Sequence, residues 1–247
     1  MKMRSRIYFG NAFLFGENES ALDKNRRERQ NSPIMKDIAI YGAGGFGRET
    51  ACLIREINEV SPTWNFVGFF DDGIPAGTQT PRGKILGGLD ALNSHNGELA
   101  LVFAIAAPKT LEHLSKNISN PNITFPNIIA PTARIMDVAS LKLGKGNLIS
   151  HQSSISCDVE LGDFNLFNTQ IYLGHDSKIG NFNVFNTCIR ISGNVTMGNR
   201  NFFGVSSVVL QGISIGNDVT LGANSVLVRT PKDGKTYIGN PATLFKF

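Results

Sequence analysis

Gly174-His175-Asp176 sets an imidazole directly beside a carboxylate, and eighteen residues further on Gly193 offers a backbone amide with no side chain to shield it. An imidazole can take a proton from an attacking nucleophile, and an unencumbered N–H can receive the negative charge that grows on a carbonyl oxygen. Together they are the minimum equipment for acyl transfer, provided the fold brings them within reach. The competing reading of His175 is a solvated turn residue, because packing does not require a histidine there. A second group of chemistry-bearing residues lies earlier. Gly42, Gly44, Gly45 and Gly47 satisfy G-x-G-x-x-G, and Asp71 and Asp72 follow where a dinucleotide site places its ribose acid.

The elements around the glycines alternate. DIAIYG reads as a strand, GRETACLIREIN as a helix, WNFVGFFDD and LALVFAIAA as further strands, and KTLEHLSKN after Pro108 as a second helix. This predicts a small parallel α/β domain, Rossmann-like, over residues 35–121. Its strands are about half those of a full dinucleotide fold, so a nucleotide-sugar suits the glycine turn better than NAD, and an NAD oxidoreductase becomes the third-ranked function. Residues 1–34 stand apart as an N-terminal extension without evident chemistry.

From Leu143 the apolar residues recur at a fixed step of six: Leu143, Ile149, Ile155, Leu161, Phe167, Leu173 and onward to Leu227. A helix would show 3.6 and a strand 2, so six means a short strand and a turn, repeated. Gly144, Gly162, Gly180, Gly198 and Gly216 add a step of eighteen. Three hexads therefore make one coil of a triangular β-solenoid, assigned to residues 122–247. In that register Asn165, Asn183 and Asn201 form a ladder, and one corner reads Cys157, His175, Gly193, Gln211 floor by floor. The solenoid thus makes neighbours of His175 and Gly193.

Composition excludes several alternatives. The chain of 247 residues has a net charge of +4, but residues 1–34 hold seven Lys/Arg against four Asp/Glu, leaving 17 against 16 elsewhere, which gives nucleic acid little to bind. Cys52, Cys157 and Cys188 form no C-x-x-C pair and fit a reducing cytoplasm. The run LALVFAIAA is too short to span a bilayer, and export is not expected, since the opening apolar patch lacks a cleavage site. His95, His113 and His151 have no companions at metal-ligand spacing, so no metal is expected.

GAGGFGRE, the hexads, GHDSKIG, ISGNV and the closing GNPA together resemble the left-handed β-helix acyltransferases with an N-terminal nucleotide-sugar-binding domain. These include UDP-4-amino-sugar N-acetyltransferases and sialic acid O-acetyltransferases of surface glycan biosynthesis. The resemblance covers residues 36–247. It implies acetyl-CoA as co-substrate, a nucleotide-sugar acceptor, a homotrimer, and no metal. It places the general base on His175, with Asp176 as its acidic companion and Asn168 at an active-site asparagine position. Gly193 becomes the amide that meets the thioester, with Val205 and Ala223 as further backbone contacts to acetyl-CoA. The diphosphate-sugar falls against Gly42, Gly44, Gly45 and Gly47, with the base and ribose near Asp71 and Asp72. Three positions depart from the pattern: Phe46 in the glycine turn, Val184 where some relatives carry a second histidine, and Thr243 where a lysine usually follows G-x-P-A and pairs a CoA phosphate. Arg229 and Lys246 are the cations left for that phosphate. Sugar O-acetylation and a non-catalytic nucleotide-sugar scaffold are the alternative functions.

Overall fold

The computed structural model describes residues 35–246. The expectation for residues 1–34 lies outside the described residues. Residues from Met35 onward form one compact unit. Its first part is a six-stranded sheet built from β1 (Lys36–Tyr41), β2 (Trp64–Phe70), β3 (Gln79–Thr80), β4 (Gly83–Gly87), β5 (Leu99–Phe103) and β6 (Ile123–Thr124), in the order β3-β4-β2-β1-β5-β6. All neighbours are parallel except β3 with β4. The central strands are the aliphatic runs: Ile38 to Tyr41 and all of β5 are buried, as a parallel sheet covered on both faces demands. Helices α1 (Gly45–Val60), α2 (Leu89–Asn93) and α3 (Pro108–Asn117) complete the layer. The β3–β4 hairpin, α2 and β6 are additions to the sequence reading, because segments of two to five residues broken by Gly and Pro leave no periodicity to read.

Because β1 lies between β2 and β5, the chain reverses its winding there, and the crevice at the carboxyl ends of these strands is where such sheets bind ligands. Gly42 stands at that point with φ +104°. A Cβ on Gly42 would lie 2.8 Å from the Ala104 carbonyl oxygen, and one on Gly47 would collide with the Gly42 carbonyl. These two glycines let strand, turn and helix approach one another. At Gly44 and Gly45 an added Cβ would meet nothing within 4 Å, so these two instead leave open space in front of the turn.

The second part is a left-handed parallel β-helix of two-residue strands. Its first face runs from Ile128–Ile129 through Leu148–Ile149, Leu166–Phe167, Val184–Phe185, Phe202–Phe203 and Thr220–Leu221 to Thr236–Ile238. The second face runs from Arg134–Ile135 to Val226–Leu227, and the third from Lys142–Leu143 to Ser214–Ile215. Five coils are complete. The first begins at Ile128, before the regular hexads, because the segment between Ile135 and Lys142 is longer than a hexad turn. Along most of the second and third faces the inward residue of each strand is buried and its neighbour is not. On the first face Leu148, Leu166 and Val184 are buried as well, since they share one apolar cluster with β1 and β5. Phe125 and Phe164 lie edge to face, 5.2 Å between ring centres, at this seam. The α/β part is therefore fixed to the first face, leaving the other two open.

The expected ladder is present and longer: Asn147, Asn165, Asn183 and Asn201 are fully buried, each Nδ2 from Asn165 onward reaching the Oδ1 one coil back at 2.9–3.1 Å. One residue in each turn adopts the left-handed region at the same step of six, from Gly146 and Gln152 to Asn224. Bulky members such as Phe164, Phe182 and Arg200 accept φ near 55–59°, although a left-handed residue with a Cβ costs about 1 kcal/mol.

Candidate active site

Strand pairing fixes the register of the corner between the second and third faces. Leu173, Ile191, Val209 and Leu227 lie in line, so two residues on from the first three of them His175, Gly193 and Gln211 also stack, one strand spacing of about 4.8 Å apart. Asp176 is the left-handed residue of its turn, φ 56°, a conformation aspartate tolerates better than most side chains. That twist turns its carboxylate back on the preceding residue. Asp176 Oδ2 lies 2.7 Å from His175 Nδ1. The carboxylate can only accept, so Nδ1 carries the proton and Nε2 is left as the basic nitrogen. The imidazole side chain is 48% exposed and its Nε2 edge lies over Gly193: a Cβ there would be 2.5 Å from Nε2. Only glycine leaves room for the ring.

Backbone amides sharpen the picture. On this corner the N–H groups of His175, Gly193 and Gln211 find no acceptor among the described residues, and on the corner between the first and second faces neither do those of Thr187, Val205 and Ala223. At the third corner the equivalent amides of Lys145, Asp163, Asn181 and Asn199 are each closed off by a side chain one coil on, as in Asp163 N–H to Asn181 Oδ1 (2.7 Å) and Asn181 N–H to Asn199 Oδ1 (2.7 Å). The two corners flanking the second face thus present rows of free donors, while four successive coils of the third corner present none.

The structure brings His175, Asp176 and Gly193 together. Asn168, Val205 and Ala223 it places on the other corner of the second face, apart from His175. Asn168 Oδ1 accepts from the amide of Thr169 at 2.8 Å, closing its own turn. Asp71 and Asp72 meet the glycine turn but are engaged internally: Asp71 accepts from the Ala43 and Gly73 amides, both 2.9 Å, and Asp72 from Tyr41 Oη at 2.7 Å and the Leu89 amide at 2.9 Å. Burial, then the hydrogen bond to Asp72, pushes the Tyr41 hydroxyl well above the usual phenol range. Sequence reasoning missed the cleft of about 490 Å³ beside Asp72, lined by Leu89, Asp90, Thr110, His113 and Leu114, because α2 and α3 meet only in three dimensions. His151, which has no companion in the sequence, pairs with Glu56 of α1 at 2.8 Å. Among the described residues no cluster of His, Cys, Asp or Glu is placed to hold a metal ion, and no helix is long and apolar enough to cross a membrane.

An imidazole oriented by a carboxylate and laid over a bare amide, on a left-handed β-helix, is an arrangement that acyl transfer can use. Residues 37–118 match the PglD N-terminal domain. The acetyltransferase domain of PglB from Neisseria gonorrhoeae, in complex with acetyl coenzyme A, is 25% identical with a TM-score of 0.77, covering 85% of this chain and 100% of that one. A perosamine N-acetyltransferase variant from Caulobacter crescentus, in complex with CoA and GDP-perosamine, is 25% identical with a TM-score of 0.74, covering 87% and 99%. WeeI from Acinetobacter baumannii is also 25% identical, TM-score 0.77, covering 85% and 100%. No curated protein sequence matches the chain. Domain, solenoid and neighbours agree on the type: a hexapeptide-repeat sugar acetyltransferase.

Proposed function

We propose that this protein moves the acetyl group of acetyl-CoA onto the amine of a nucleotide-activated amino sugar. The observation that carries the proposal is His175, held through Nδ1 by Asp176 with Nε2 laid over Gly193. In the reaction the sugar amine attacks the thioester carbonyl as His175 Nε2 accepts its proton. The Gly193 N–H receives the oxyanion. Collapse of the tetrahedral intermediate breaks the C–S bond, and the imidazolium returns the proton to the CoA sulfur. Asp176 keeps the tautomer and balances the charge while the ring is protonated. The open space before Gly44 and Gly45, at an α1 N-terminus with no side-chain cap, suits the diphosphate. The cleft beside Asp72 suits the nucleoside.

The assembly is part of the proposal. Gly193 and the pair Val205 and Ala223 occupy different corners of one prism, so an acyl donor that touches both rows of free amides does so between two copies. Identical heterologous contacts close most simply around a three-fold axis, which makes the protein a homotrimer with three shared sites. The three cysteines are free, in keeping with a cytoplasmic enzyme. Residues 35–121 then hold the acceptor and residues 122–247 the donor.

Replacing His175 tests the reading. A positioned base contributes about a hundredfold to ten-thousandfold, so His175→Ala should lower kcat by that factor, about 3–5 kcal/mol of barrier, at unchanged Tm and acetyl-CoA affinity. Thiol release from acetyl-CoA across a panel of nucleotide-activated amino and hydroxy sugars is the measurement. Transfer only to hydroxy sugars selects O-acetylation, and nucleotide-sugar binding without any transfer selects the scaffold.

A further inference from the structure

The two carboxylates that follow β2 are both engaged, but to different ends. Asp71 accepts from the amides of Ala43 and Gly73, and so ties the glycine turn to β2. Asp72 serves another element. Its Oδ1 accepts at 2.9 Å from the amide of Leu89, the first residue of α2, whose own N-cap position is Gly88 and has no side chain to offer. Asp72 thus caps α2 from a strand. A Cβ on Gly88 would collide with Asp72 Oδ1, so glycine is what lets the helix come up to the carboxylate. Asp72 Oδ2 accepts from Tyr41 Oη at 2.7 Å. The Tyr41 residue is 2% exposed, its ring set between Phe70 and Phe103 with centroids 6.4 and 5.8 Å away, so the hydroxyl has one fixed place. Its raised pKa, from burial and then from Asp72, keeps it protonated and therefore a donor.

We propose that Tyr41 is a positioning residue for the acceptor: through Asp72 it holds α2 at the separation from α3 that the nucleoside requires, and Asp72 is its relay rather than a ribose ligand. The proposal rests on the nucleoside occupying the cleft beside Asp72. One wall of that cleft is Gly88, Leu89 and Asp90, at the start of α2, and the other is Thr110, His113 and Leu114 of α3. Tyr41 lies beneath and does not face the cleft. Of the five residues of α2 only Leu92 is buried, so the helix has little apolar anchorage and its first turn depends on the cap. A hydrogen bond to a charged group, shielded from water, is among the stronger that a hydroxyl makes. Without it the carboxylate is free to turn away from Leu89, and the wall it supports moves with it.

Calorimetric binding of ADP, CDP, GDP and UDP, and of their 2′-deoxy counterparts, to the whole protein identifies the preferred nucleotide and tests the relay. Tyr41→Phe keeps the ring and removes only the donor. It should raise the Kd of the preferred nucleotide about tenfold, as for a lost bond to a charged partner, and leave the Kd of acetyl-CoA unchanged. Asp72→Ala should weaken the ribo and 2′-deoxy forms by the same factor, because no contact to the 2′-hydroxyl is lost. Adding Tyr41→Phe to Asp72→Ala should cost nothing further, since the hydroxyl then has no carboxylate to act through. Asp72→Asn, whose amide oxygen still accepts from Leu89 and whose NH2 can donate to Tyr41 Oη, should recover most of what Asp72→Ala loses. An unchanged Kd in Tyr41→Phe would overturn the proposal. So would a loss in Asp72→Ala confined to the ribo forms, which makes Asp72 the ribose ligand, or additive losses in the double variant. An equal loss of acetyl-CoA affinity would show a general loosening of the fold and overturn it too. If the natural protein binds none of these nucleotides, it is the parent reading of the cleft that fails.

Discussion

At Gly193 a single methyl group is enough to dislodge the His175 ring. The residue has no positive φ, so alanine fits its backbone, but the new Cβ would fall 2.5 Å from Nε2 and 2.6 Å from Cε1 of His175. The obstructed group is the end of a mobile side chain, so the fold can absorb the change by swinging the ring outward. Gly193→Ala should therefore cut kcat about a hundredfold, comparable with loss of a base, while the Tm stays within error. Normal turnover with a saturating acceptor would mean that the ring position over Gly193 is irrelevant to chemistry. His175 and Gly193 were legible in the sequence because a constant coil of eighteen turns residue numbers into positions. The same arithmetic separates Asn168 from His175, seven apart, onto different corners. The turn of Asp176 toward Nδ1 was not legible, since it depends on a left-handed φ that the coil imposes on residues as unlike as phenylalanine, arginine and cysteine.

Among the elements, α3 owes its place to charge as well as to apolar packing. Arg200, on the solenoid, reaches Asp218 through two hydrogen bonds of 2.9 and 3.0 Å and Glu112 of α3 at 3.3 Å. The hydrogen bond from Arg200 holds the Asp218 carboxyl below its ordinary 3.8, and Lys116, with help from Arg200, holds Glu112 below its ordinary 4.5. Both shifts have the same sign. Above about pH 4.5 their contribution is fully present, and it is lost as pH falls and the unfolded chain takes up protons that the folded chain resists. Unfolding free energy, followed by denaturant titration from pH 7 to pH 3, should decline below about pH 4.5. Arg200→Asn, which tolerates the left-handed φ of 58°, should flatten that decline, and an unaltered slope would deny Arg200 its part. No sequence pattern announced this contact, because its partners are 88 residues apart and the hexad repeat does not extend to the helix that carries Glu112. The strands and helices of high periodicity were legible, whereas the contacts that seat one element on another were not.

For the whole molecule, the division of free amides between two corners has a consequence that mixing can test. Light scattering should give the mass of a trimer. Subunits carrying His175→Ala, combined with subunits altered at the opposite corner by Ala223→Pro, should regain part of the activity that each lacks alone, because some mixed interfaces pair two intact corners. A stable, fully active monomer would remove the shared site.

The parallel stack also has an exposed end to manage. A ladder that adds one strand per coil finishes in a row of unpaired N–H and C=O groups, the kind of margin onto which a second chain can graft itself. On the first face the chain closes this margin with its own tail: Thr243–Leu244 folds back antiparallel on Thr236–Ile238. Reversing direction matters, since a further copy of the coil would arrive parallel and find no matching register. The hairpin thus closes the first face to a further parallel strand.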